Sequence, residues 1–176
     1  MNLHDTLPYF ELKGCDEKIH SLMDVSDKSC ILILFICNHC PYVQAYLERI
    51  DQIIDKFYED NLGVILINPN DAKRYPADSF EAMKSVAAKY KWESIYWYDE
   101  HQDVARIFGA SRTPEAFLFN SSRELVYKGG IDDSWENPHL VTRIWLEDAI
   151  EYTLDGLEVD FPETQPVGCS IKWKEE

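Results

Sequence analysis

No stretch of this chain is both long enough and apolar enough to cross a bilayer. The longest apolar run, Cys30 to Cys37, falls far short of the roughly 20 residues a spanning helix needs. Basic residues are scarce as well: 17 Lys plus Arg stand against 32 Asp plus Glu, a formal net charge of −15. Such a surface repels phosphate backbones and anionic lipid, which argues against nucleic acid or membrane as the main partner. The start, "MNLHDTLPYFELKG", lacks a basic segment leading into an apolar one, so a cytoplasmic location is expected and secretion is not. Repeats, low-complexity tracts and interdomain linkers are missing too, and residues 1–176 are expected to form one domain. Framework spacing is absent from the cysteines. Five of them, at 15, 30, 37, 40 and 169, make an odd set that suits catalysis or metal binding better than a disulfide scaffold.

What is present reads as an alternating α/β chain. "YFELKG" and "KIHSLMD" alternate apolar and polar residues about a turn at Gly14–Glu17, as a hairpin would. "CILILFI" is apolar on both faces and predicts a central covered strand, and "GVILINPN" predicts a second. Between them, Val43, Leu47, Ile50, Ile54 and Phe57 follow helical spacing after Pro41, a residue suited to a first helical turn. A second helix is expected from Asp78, with Glu81 as capping partner, to about Tyr90. "SIYWYDE" predicts a short strand, "QDVARIFGA" a short helix ended by Gly109, and "EAFLFN" with "ELVYKGG" a hairpin. Pro138 should open a last helix, with Val141, Ile144, Trp145, Ala149 and Tyr152 inward and Gly156 closing it. The fold class is therefore α/β, a central mixed sheet with helices on both faces, and residues 157–176 form an extended tail laid on the body.

The chemistry-bearing stretch is "ILILFICNHCPYV". Cys37 closes a buried strand just before a helix start, where free N–H groups and the helix dipole favour a thiolate. His39, if protonated, would add a positive charge that tunes this thiol. Cys40 can reach back to close a small ring, so attacking and resolving thiols lie within four residues, as disulfide exchange requires. Zinc would need a second donor pair, which the spacing does not supply, so no metal or other cofactor is expected. A second element is Thr113-Pro114, directly before a strand. A cis bond there would turn the loop toward the thiols and leave the Thr113 backbone free to pair with an extended substrate.

These features resemble the thioredoxin fold. The longer match ("CNHCPYV", "NPNDAKRYPADSFEAM", "YDE", "FGASRTPEAFLF", "LVYKGGIDDS" and "PVGCSIKW") resembles a branch related to the alkyl hydroperoxide reductase and thiol-specific antioxidant group, from about residue 8 to 173. The resemblance implies a thiol–disulfide oxidoreductase with Cys37 attacking, Cys40 resolving and cis-Pro114 beside them. Its partners would be a disulfide-containing protein or small molecule and a thiol reductant. Departures are Ile36 where thioredoxins place a tryptophan, no acid in "CILILFI", and Arg112 before Thr113-Pro114 where relatives carry a cysteine. A peroxiredoxin-like peroxidase is the rival reading, but "ILILFICNHC" offers neither the proline nor the threonine expected upstream of a peroxide-cleaving cysteine. A non-catalytic binding protein on the same fold is the third. Cys169, in the tail, is a candidate accessory thiol, to be weighed against a cysteine that simply packs.

Overall fold

The computed structural model describes residues 1–175 and builds outward from one strand. The first strands are β1 (Glu11–Gly14), β2 (Ile19–Ser21) and β3 (Cys30–Phe35), and every residue of β3 is buried. Helix α1 (Pro41–Lys56), strand β4 (Leu62–Asn68), helix α2 (Phe80–Tyr90), strand β5 (Tyr96–Tyr98) and helix α3 (Asp103–Phe108) follow. The chain continues through β6 (Arg112–Thr113), β7 (Glu115–Phe119), β8 (Leu125–Gly129), α4 (Trp145–Leu154) and β9 (Cys169–Ser170).

Seven strands form one mixed sheet in the order β2-β1-β5-β4-β3-β7-β8, and β6 pairs with β9 in a separate two-stranded ribbon. β3 runs parallel to β4, with Cys30 opposite Leu62, and antiparallel to β7, with Ile31 opposite Phe119. The strand's two-residue period divides the core between the sheet's faces. Leu32, Leu34 and Ile36 join Val43, Tyr46 and Ile50 of α1, Met83 and Ala87 of α2, and Leu146 and Ile150 of α4. Ile31, Ile33 and Phe35 join Val104, Ala105 and Phe108 of α3 on the other face. At about 1.5–3 kcal/mol for each fully buried aliphatic or aromatic side chain, this double burial outweighs the absence of a side-chain cap on α1, worth about 1 kcal/mol.

Two helix starts differ from expectation. Asp78 does not open α2: Ser79 is the N-cap, its hydroxyl accepting from the Ala82 N–H at 3.2 Å, while Asp78 ends a 3-10 turn, Pro76–Asp78. Pro138 opens only a 3-10 turn, and α4 begins at Trp145 with Leu146, Ala149 and Ile150 buried and Trp145 packed against the core, so of the expected set Ala149 and Trp145 face inward while Val141 and Ile144 lie outside the helix. Asp133 accounts for the delay, since its carboxylate accepts from the Thr142 N–H at 2.8 Å and its own N–H donates to Arg143 O, holding these residues out of a helix. Among the described residues no helix is long and apolar enough to cross a membrane.

Candidate active site

The loop between β3 and α1 carries Cys37, Asn38, His39 and Cys40 at the end of the central strand. Cys40 is the N-cap of α1 with Pro41 as the first helical residue, so the helix's free N–H groups face Cys40, three residues beyond Cys37. Both sulfurs belong to residues with no solvent exposure. The Thr113-Pro114 bond is cis, as expected, and lays Thr113 across the pair. Thr113 Oγ1 lies 3.4 Å from Cys37 Sγ, and Thr113 O lies 3.5 Å from Cys40 Sγ. The structure thus brings together Cys37, Cys40, Thr113 and Pro114.

His39 is bound into the protein beside Cys37. Its Nδ1 meets the carboxylate of Asp78, a residue without exposure, and its ring stacks on Tyr75 at 5.7 Å. Asp78 is the residue that sequence reasoning missed. Its Oδ1 accepts from the Asn38 N–H at 2.7 Å and the His39 N–H at 3.2 Å, and its Oδ2 accepts from Asn70 Nδ2 at 2.8 Å. Asn68 Nδ2 holds the Asp78 carbonyl at 2.8 Å. Asn68 and Asn70, which turn chemistry could explain, instead fasten this acid beneath the loop. The one signal was two capping residues side by side, Asp78 and Ser79, of which a single helix start uses one.

Cys37, His39 and Asp78 place a sulfur, a ring nitrogen and a carboxylate oxygen within 4.8 Å of one another, donors that could together hold a divalent ion. Each already has a protein partner: His39 and Asp78 have one another, and Cys37 has Thr113. The donor set is therefore satisfied as it stands.

The surroundings act in opposite directions on the two thiols. Hydrogen bonding from Cys37 lowers the pKa of Cys40 against the cost of its burial, and the Cys169 thiol, the Val43 N–H and the Cys169 N–H add to it. Cys37, which holds the shared proton, is pushed up by that bond, by burial and by the Asp78 carboxylate. These contacts favour a thiolate at Cys40 over one at Cys37. Cys15 and Cys30 serve as a contrast, since burial pushes each up to about 12 with no such partners.

The Thr113 backbone is not free for a substrate. The tail folds back so that Cys169 pairs with Thr113 and Ser170 with Arg112, β9 against β6. Gly168 permits the approach, for a Cβ there would lie 2.1 Å from Thr113 O. Arg112, in the place of a third thiol, donates to Gly168 O at 3.0 Å.

Residues 3–128 match the AhpC/TSA family. The chain belongs to that family. A conserved protein of Geobacillus kaustophilus is 35% identical with a TM-score of 0.92, covering 99% of this chain and 94% of the other. A hypothetical protein of Sinorhizobium meliloti 1021 is 30% identical with a TM-score of 0.94, covering 100% and 97%. The exposed lipoprotein thioredoxin of Streptococcus pneumoniae strain TIGR4, at 21% identity and a TM-score of 0.62, covers 85% of this chain and 100% of the other and shares the thioredoxin-like fold. No curated protein matches the sequence. Membership of the AhpC/TSA family, on a thioredoxin-like fold, makes this a redox protein whose chemistry is that of thiols.

Proposed function

We propose that the protein is a thiol–disulfide oxidoreductase that cycles a Cys37–Cys40 disulfide. The observation that carries this reading is geometric: two buried thiols three residues apart converge under a cis-Pro loop, with Thr113 Oγ1 3.4 Å from Cys37 Sγ and Thr113 O 3.5 Å from Cys40 Sγ. In the reducing direction Cys40 thiolate takes one sulfur of a disulfide and expels the other as a thiolate. Cys37 then loses its proton and attacks Cys40 Sγ, closing the Cys37–Cys40 bond and releasing the second thiolate. The His39–Asp78 pair is the proton acceptor beside Cys37, and it replaces the acid that β3 lacks. A disulfide-containing protein or small molecule and a thiol reductant complete the cycle.

The test is disulfide turnover with dithiothreitol as donor, run in parallel with hydrogen peroxide. Cys37→Ser and Cys40→Ser should each abolish disulfide reduction, and mapping of the oxidised wild type should find Cys37 joined to Cys40. Rapid peroxide consumption with the disulfide untouched would replace this reading by the peroxidase one.

A further inference from the structure

Three thiols, not two, meet at this site, and they differ in access. Cys37 and Cys40 have no exposure, whereas Cys169 is half-buried and opens to solvent. Cys169 pairs with Thr113, whose carbonyl oxygen lies 3.5 Å from the Cys40 sulfur, so the tail thiol sits beside Cys40 across one residue of β6. The contact is held from both sides. β9 pairs with β6, and beyond it Ile171 donates its N–H to Ser111 O at 3.0 Å and is buried. Lys172 is clamped at both backbone groups: its N–H donates to Asn70 Oδ1 at 2.9 Å, and its carbonyl accepts from the Asp71 N–H at 2.8 Å and Gln102 Nε2 at 2.9 Å. Lys174 N–H bonds Gln102 Oε1 at 2.9 Å. Anchors on its C-terminal side therefore keep Cys169 beside Cys40 even when the two-residue strand opens, at the high effective concentration of a tethered reactant.

Resting on the reading of Cys37 and Cys40 as a cycling pair, we propose that Cys169 is its outlet to solvent: the disulfide moves from Cys37–Cys40 to Cys40–Cys169, and exchange with outside thiols and disulfides occurs at the Cys169 sulfur. In the oxidised protein, Cys169 thiolate attacks Cys40 Sγ, the Cys37–Cys40 bond breaks, and Cys37 leaves and takes a proton. An outside thiolate then attacks Cys169 Sγ and expels Cys40 as thiolate, leaving a mixed disulfide on Cys169. A second outside thiolate attacks the outside sulfur of that mixed disulfide and expels Cys169. One protein disulfide is reduced and two outside thiols become one disulfide, so electrons balance. Run in reverse, the sequence reduces an outside disulfide at the expense of Cys37 and Cys40.

Position sets the first attack, since Cys169 is held beside Cys40 through Thr113, and acidity sets the second. Cys40 is the stronger acid of the Cys40–Cys169 bond, hence its better leaving group, which makes Cys169 the sulfur attacked there. Burial and the Cys40 charge push the Cys169 thiol up to about 11 in the reduced state, while Lys172 and Arg112 pull it down. Once Cys40 is in a disulfide its charge is gone, and these two cations face Cys169 without it. The chain thus readies Cys169 as a nucleophile when the core pair is oxidised.

Disulfide mapping and kinetics test the relay together. Oxidised with one equivalent of 2-hydroxyethyl disulfide, Cys37→Ser protein should hold an intramolecular Cys40–Cys169 bond. Cys169→Ser protein should still form Cys37–Cys40, but dithiothreitol should reduce it at least roughly tenfold more slowly than in the wild type. A Cys37→Ser protein in which Cys169 stays open to alkylation would overturn the relay, as would an unchanged rate in Cys169→Ser. Both leave the core pair standing. A wild type that never joins Cys37 to Cys40 would instead remove the core reading, and the relay with it.

Discussion

At the scale of single residues, a buried acid and a helix end decide which sulfur carries charge. Asp78 pushes the Cys37 thiol up and the start of α1 lies at Cys40, which together favour negative charge on the second thiol. Because the pKa of Cys40 is lower folded than unfolded, its contribution to stability is present above the unfolded value. It is lost as pH falls through the lowered one. A far-ultraviolet thiolate titration of the reduced protein should therefore show a transition below the ordinary cysteine range, and Cys40→Ser should remove it. Persistence of that transition in Cys40→Ser would return the charge to Cys37. Asp78→Ala leaves the N–H groups of Asn38 and His39 and the amide of Asn70 without an acceptor. At about 1–3 kcal/mol for each buried group left unsatisfied, and less for the half-exposed pair, a loss of about 3 kcal/mol is expected in chemical denaturation. The sequence showed Cys37, Cys40 and Thr113-Pro114 because each sits at a local boundary, strand to helix or loop to strand. Asp78 was invisible for the opposite reason: its partners His39 and Asn38 lie some forty residues away, and no local pattern encodes such a pairing.

Among the elements, legibility followed local constraint. β3 could be read because an apolar run buried on both faces has few other places to go, and β7 with β8 because a buried run and an alternating one flank a short turn. The start of α4 could not, because Asp133 reaches nine residues ahead to hold Thr142 and cancels the signal of Pro138. β9 was legible only as a segment laid on the body, since two residues of strand carry no period. Its existence depends on Gly168. Gly168→Ala drives a Cβ into the Thr113 backbone, which cannot yield as a side chain would. The expected outcome is that β9 lifts from β6 and Cys169 is alkylated faster than in the wild type, while the global denaturation midpoint moves little. Unchanged labelling would mean that the anchors at Ile171 and Lys172 fix Cys169 without the strand.

Over the whole molecule, the net charge of −15 sets a repulsive field for anions. A cationic disulfide such as cystamine should be reduced faster than an anionic one such as dithiodipropionate at low salt. The gap should close as added salt shortens the Debye length to about 10 Å near 0.1 M. The reverse order would show that Arg112 and Lys172, close to Cys169, outweigh the global charge. The β6–β9 ribbon has a further consequence, best put as self-competition. Any extended peptide that would pair with Thr113 must displace a strand of the same molecule, one that is always present and cannot diffuse away. Its apparent dissociation constant is the intrinsic one divided by the fraction of molecules with β9 open; an opening of about one in a hundred weakens binding about a hundredfold. Thiols that need only reach Cys169 are free of that penalty, so the fold itself ranks small reactants above polypeptides.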